Sequence, residues 1–218
     1  MKRLTIALIG ESVEKHDMPS TVVEVPVSDS FGSGAWLNDL LKVWKSDYLL
    51  LTLPGGTIEF GARALERFLQ VADDSAAGLI YSDFRERNGD EVSDHPLIDY
   101  QLGSIRDNFD FGSVLLLSRK AVDAALRNHG AVDESRRWGA LYDLRLKLSI
   151  DSAVLRIPEP LYTRNVIDEH ASGEKIFDYV DPGKRDYQIE MEHLATAHLK
   201  RIGAHLTPEF AAVTESPI

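Results

Sequence analysis

Cysteine is absent from the 218 residues, which excludes disulfides, thiolate metal sites and a cysteine nucleophile. Positive charge is scarce: 24 Lys and Arg face 35 Asp and Glu, a formal net charge of −11. So acidic a surface repels phosphate backbones, and nucleic acid is not an expected partner. No apolar run approaches the roughly 20 residues that a membrane-spanning helix needs, so no transmembrane segment is expected. The apolar start, Leu4 to Ile9, is cut off by Glu11 and reads as a first core strand instead of a leader peptide. A soluble, cytoplasmic protein is the expectation. The seven histidines are scattered, and His193 and His198 lie five apart, off a common helical face, so zinc is not expected. Neither Gly-x-Ser-x-Gly nor Gly-x-x-x-x-Gly-Lys-Ser/Thr occurs, leaving serine-hydrolase and P-loop chemistry without support. One further absence is local. Leu53-Pro54-Gly55-Gly56 follows an apolar run at a strand edge, where open α/β sheets bind ligands, yet it holds no carboxylate, His or Lys.

What is present is ordinary for a globular chain: 44% apolar and 27% charged residues. Six segments read as strands: Leu4–Ile9, Thr21–Val27, Tyr48–Leu53, Gly78–Phe84, Ser113–Ser118 and Ala153–Ile157. Most are unbroken Leu/Ile/Val runs, the mark of strands covered on both faces. Helical spacing appears between them at Trp36–Trp44, Glu66–Ala72, Arg119–Arg127 and Leu141–Ile150. Trp36 and Trp44 read as core. Strands alternating with helices predict an α/β fold whose sheet is mixed but mostly parallel, with helices on both faces.

Tyr81 to Asp110 breaks the rhythm, with Asn88-Gly89-Asp90 and Asp94-His95-Pro96, and reads as a long functional loop. Residues 1–165 are expected to form one domain. Residues 166–218 read as a linker, Asp168 to Gly173, then a helix from Arg185 to Ile202 and a patternless tail. That helix has Tyr187, Met191, Leu194, Ala195, His198 and Ile202 on its apolar face, with Gly203 as its stop.

Four stretches in order carry a resemblance. "YLLLTLPGGTIEFGARALERFLQVADDSAAGLIYSDF", "DNFDFGSVLLLSRKAV", "WGALYDLRLKLS" and "VLRIPEPLYTRN" are similar to successive segments of family 2 glycosyltransferases, which have the GT-A nucleotide-diphospho-sugar transferase fold. The likeness covers about Tyr48 to Arg164, and the C-terminal helix resembles a variant subgroup in which further transferase modules follow. It implies transfer of a sugar from a nucleotide-diphosphate donor to a glycan or lipid-linked acceptor. It also implies, as partners, other transferase domains or a second copy of the chain.

Two departures from the family stand out. Its turn after the third strand carries acidic residues that hold Mg²⁺ or Mn²⁺ against the diphosphate, since hard cations need oxygen ligands. Leu53, Pro54, Gly55 and Gly56 supply no side-chain oxygen, so a divalent metal is not expected. Glu59 is a possible stand-in, or a charge in the first turn of a helix. The family's general base precedes Tyr-Asp-Leu, where Ala140-Leu141 stands here, and Leu cannot take a proton. The alternative function is therefore a non-catalytic glycan-binding or scaffolding module.

Within the resemblance, Asp83 and Asp143 are the candidate catalytic carboxylates. Asp83 either meets a ligand or anchors the next turn. Asp143 either sets the site or pairs with Arg145 or Lys147. Arg106, Asp107 and Asp110 are candidate substrate-binding residues, Arg106 as a guanidinium that offsets phosphate charge. Gly55 and Gly56 complete the substrate-binding set through their backbone. Gly32-Ser33-Gly34 could cradle a phosphate, although Ser33 as a helix N-cap is the simpler account. Asp29 is the nearest match to the family's uracil-binding Asp.

Overall fold

A computed structural model describes residues 4–9, 21–25, 31–165, 185–207 and 209. The order is β1 (Leu4–Ile9), β2 (Thr21–Val25), α1 (Gly34–Val43), β3 (Tyr48–Thr52), β4 (Thr57–Phe60), α2 (Ala64–Ser75), β5 (Leu79–Asn88) and β6 (Glu91–His95). There follow β7 (Val114–Ser118), α3 (Arg119–His129), α4 (Ala140–Asp151), β8 (Val154–Asn165) and α5 (Arg185–Arg201). Asp29, the expected linker Asp168–Gly173 and nearly all of the tail lie outside the described residues.

One sheet runs β2-β1-β3-β7-β5-β8-β4, with β6 paired to β5. It is mixed, as expected, but not mostly parallel. Its parallel ladders are β1·β2, β1·β3 and β5·β8, whereas β3·β7, β5·β7, β4·β8 and β5·β6 are antiparallel. The first three strands in space form a parallel half, and the sense changes where β3 meets β7. Leu49, Leu50 and Leu51 are all fully buried. Successive strand residues face opposite ways, so both faces of the sheet centre are covered.

The expected loop at Tyr81–Asp110 is partly a hairpin. β5 runs on to Asn88, Gly89 adopts φ +59° in the turn, and β6 returns with Phe84 opposite His95. Asn-Gly favours such tight reversals because both positions tolerate positive φ. The stretch Leu53–Gly56 also leads into a strand, β4, before the helix. Glu59 therefore sits on β4, where it pairs with Arg87 at 2.7 Å, and not in the first turn of a helix. β8 is longer than expected, pairing with β5 at Val154–Ile157 and again at Tyr162–Asn165, with a register shift between. Pro158 and Pro160 lie in that gap, and a residue without an N–H cannot continue a ladder.

Helix α5 docks on α4 through buried Met191, Leu194 and His198. Gly139 permits the approach: a Cβ there would lie 2.3 Å from the Leu194 side chain and 2.7 Å from that of Met191.

Candidate functional site

Where the parallel half of the sheet meets β7, a cavity of about 410 Å³ opens off the C-terminal end of β3. Leu53, the segment Asp107–Gly112, Trp138, the first turns of α4 and Tyr187 and Met191 of α5 wall it in. Crevices outside the carboxyl ends of strands are where open α/β sheets usually take ligands.

The turn contributes backbone shape. The Leu53 N–H donates to the Ser113 carbonyl at 2.8 Å, tying the end of β3 to the start of β7. Gly55 and Gly56 have φ +118° and +149°, conformations that favour glycine. A Cβ on Gly56 would sit 2.4 Å from the Asn165 carbonyl oxygen, so the turn presses on the end of β8. Of the turn residues, Leu53 lines the cavity; Gly55 and Gly56 do not.

The opposite wall is made by side chains. Asp110 accepts from the Gly112 N–H at 2.8 Å and meets His95 Nε2 at 3.0 Å. His95 stacks on Phe84, and its other nitrogen lies 3.6 Å from Glu86, which pairs with Arg164. Asp107 accepts from the Tyr187 hydroxyl at 2.9 Å. Burial, then that bond to a carboxylate, pushes the Tyr187 pKa up to about 12. Tyr142 donates to the Ile105 carbonyl, and Arg145 donates to the carbonyls of Ser104 at 3.1 Å and Arg106 at 2.8 Å. Two residues of α4 thus hold the 104–106 segment in place.

Arg145 is 5% exposed, and its guanidinium lies over the rings of Tyr142, Phe111 and Tyr100. Burial pulls its pKa below the ordinary guanidinium value, yet arginine remains charged. Among the described residues no carboxylate forms an ion pair with it. A buried cation with two of its five N–H donors on carbonyls, facing a cavity, suits an anion.

Glu190 of α5 holds the segment that carries Trp138 of the wall. Its carboxylate accepts from the backbone N–H groups of Arg137, Trp138 and Gly139 at 3.1, 3.1 and 2.8 Å, capping the start of α4. Burial would raise its pKa, but the three donors outweigh that and hold it below the usual carboxylate value.

The expected residues divide between wall and interior. Asp107 and Asp110 line the cavity. Arg106 is exposed, points to no part of the lining, and contributes its carbonyl to Arg145. Asp83 is off the wall, bonded to Arg156 at 3.1 Å and to the Leu97 N–H at 2.9 Å, which anchors the chain after β6. Asp143 is also off the wall, 2.6 Å from buried Lys147 and 3.3 Å from Arg201. Ser33 accepts from the Trp36 N–H at 3.2 Å as the N-cap of α1. Arg145, Tyr142, Tyr187 and Glu190 escaped the sequence reading. One signal was available for Arg145: Leu144 and Leu148 share one face of the helix and Leu146 lies on the other, so α4 is apolar on both sides and the charges between are buried with it.

A protein-held divalent cation does not fit the turn. Leu53, Pro54, Gly55 and Gly56 lack side-chain oxygens, the Thr52 hydroxyl donates to the Ala7 carbonyl at 3.4 Å, and Glu59 is engaged by Arg87. Among the described residues no three His, Cys, Asp or Glu side chains converge as a metal site. A cation bridging a diphosphate takes as few as one carboxylate, so this count does not decide metal use. No helix among the described residues is long and apolar enough to cross a membrane.

No protein-family model matches the chain, and no curated protein matches it in sequence. Solved structures do. S. aureus TarS 1-349 superposes with a TM-score of 0.55 at 11% identity, covering 90% of this chain and 65% of that one. The same fragment in complex with UDP-GlcNAc gives 0.52 at 12% identity, covering 90% of this chain and 66% of that one. In complex with UDP it gives 0.50 at 13% identity, covering 82% and 48%. The chain thus spans less than two thirds of the TarS fragment. These superpositions show the fold: it is that of the GT-A-like glycosyltransferases.

Proposed function

We propose that the chain is a glycosyltransferase domain of the family 2 type that binds a nucleotide-diphospho-sugar at the end of β3 and transfers the sugar to an acceptor in the adjoining cavity. The observation that carries this reading is the cavity itself: about 410 Å³, at the change of strand sense, with a buried guanidinium on its wall. TarS 1-349 has been solved with UDP and with UDP-GlcNAc on the same fold, which supports a sugar nucleotide as the donor. Asp107 and Asp110 are the carboxylates that would orient sugar hydroxyls, while exposed Arg106, next in the chain to lining Asp107, would offset diphosphate charge from outside the cavity. Leu53-Pro54-Gly55-Gly56 shapes the donor side through its backbone and supplies no metal ligand.

A second reading has its own support. Asp83 and Asp143, the carboxylates expected to act as base, are both neutralised by cations away from the wall, as suits a module that binds a glycan or a neighbouring transferase domain without turnover.

Thermal melting in UDP- and GDP-sugars, with and without Mn²⁺, separates them. A ligand held at 100 times its Kd stabilises the fold by about 2.7 kcal/mol. The expected outcome is a rise with one sugar nucleotide that is independent of Mn²⁺. A rise that needs Mn²⁺ removes the metal-free element; no rise with any sugar nucleotide removes the transferase reading and leaves the binding module.

A further inference from the structure

Helix α5 is fastened to the body by ionisable groups along its whole length. Tyr187 bonds Asp107, Glu190 accepts from the N–H groups of residues 137–139, His198 is buried in the α4 contact, and Arg201 reaches Asp143 at 3.3 Å. Among the described residues, only Met191 and Leu194 of α5 add buried apolar side chains. Elements held by so little apolar burial open locally, well before the fold as a whole. His198 is the unusual member of the set. It is wholly inaccessible, and neither ring nitrogen has a hydrogen-bond partner among the described residues. The charged and titratable groups around it are Arg201 on its own helix, Asp143 and Arg145 on α4, and His129 at the end of α3. Asp143 is the one carboxylate in that set, and it is already committed to Lys147 at 2.6 Å and Arg201 at 3.3 Å. His129 is bonded to Asp151 at 2.8 Å. An imidazolium in this site would hold two N–H donors without an acceptor and a third positive charge beside Arg201 and Arg145. On a detached helix the same ring meets water and takes a proton freely.

We propose that α5 is an acid-released latch on the cavity: it stays on α4 while His198 is neutral and lifts off when that ring takes a proton. Lifting removes Tyr187 and Met191 from the cavity wall and Glu190 from the start of α4. The site then loses one side, and the helix that carries Arg145 loses its cap. Burial, then Arg201 and Arg145, depress the docked ring's pKa, whereas a free ring titrates near 6.5. The docked state is therefore fully favoured above about pH 6.5 and loses ground as pH falls below it. Glu190 pulls the same way at lower pH, since its depressed carboxyl favours the docked cap only while ionised. The latch rests on the α4–α5 contact and not on the transferase reading, so failure of either leaves the other standing.

Amide hydrogen exchange of the full chain, read by mass spectrometry from pH 7.5 to 5.5 and corrected for the intrinsic pH dependence of exchange, tests the latch. Protection of residues 185–201 is expected to fall about tenfold over that range, the extra proton binding of a free imidazole. Strands β3 and β7 should keep theirs. His198→Leu should abolish the fall and leave α5 protected at both ends of the range. His193→Gln, on the exposed side of the same helix, and His129→Gln, beside the contact, should both retain it. Those two variants assign the fall by elimination should His198→Leu not fold. No fall, a fall shared by β3 and β7, a fall that survives in H198L, or one that H193Q or H129Q removes would each overturn the proposal.

Discussion

The β3–β4 turn and the N-terminal half of α4 border the same cavity from opposite sides and are built by opposite means. At the turn everything is backbone: two positive-φ glycines, a strand-end hydrogen bond from Leu53 and a close approach to Asn165. Along α4 everything is side chain. Asp143, Arg145 and Lys147 are all buried, and Tyr142 and Arg145 reach across to hold the 104–106 segment. The difference shows where chemistry can reside. Glycines shape a surface without charging it; a helix enclosed by α1, α3 and α5 can carry a cation into a dry site only if neighbouring groups hold it.

The sharpest way to break the comparison is at the α4 ion pair. Asp143→Ala strands Lys147, which is 3% exposed, and is expected to cost about 3–5 kcal/mol in denaturant unfolding. Next in size is Gly56→Ala, which combines a glycine-favoured φ with a 2.4 Å contact to backbone, at about 2–3 kcal/mol. Gly55→Ala has nothing within 4 Å of its new Cβ, so backbone strain alone should cost about 1 kcal/mol. If the two glycine variants were equally damaging, contact with β8 would not be what distinguishes the turn.

His198 gives a pH test of the α5 side. It is fully buried, both ring nitrogens lack hydrogen-bond partners among the described residues, and its surroundings include Arg201, Arg145, Asp143 and His129. Burial first, then Arg201 and Arg145, depress its folded pKa below the unfolded value near 6.5. A depressed imidazole means that the unfolded chain binds the proton more readily. Its contribution is therefore complete above about pH 6.5 and lost as pH falls toward the folded value. His198→Leu should flatten the melting-temperature profile between about pH 7 and 5. The smallest effect is expected at Glu190, whose depressed carboxyl contributes stability above its unfolded pKa and loses it as pH falls through the folded value. Glu190→Gln keeps the shape of the cap and should cost about 1 kcal/mol at neutral pH, less at acid pH.

Much of the frame was legible in the chain because burial on both faces writes unbroken apolar runs: β1, β3, β5 and β7 each start within a residue of where Leu4, Tyr48, Gly78 and Ser113 predict. Ser33 as the cap of α1 and the apolar face of α5 were equally readable. β4 and β6 were missed because edge strands are short and half exposed, so their patterns are weak; Asn88-Gly89 was the signal for the second. The site was harder to read. Asp107 and Asp110 were singled out and do line the cavity; Asp143 pairs with Lys147, the local alternative its spacing offered, while Asp83 is claimed by Arg156, far along the chain.

Composition and periodicity alone determined an acidic, cysteine-free α/β chain whose β3–β4 turn has no side-chain oxygen at its centre, since these depend on residue type and local spacing. Which charges are paired and which is left alone depends on contacts between residues distant in sequence. The local pair Asp143–Lys147 was readable from its spacing of four; only tertiary structure could place Glu190 on the start of α4 and Arg201 on Asp143, and leave Arg145 among aromatic rings on the cavity wall.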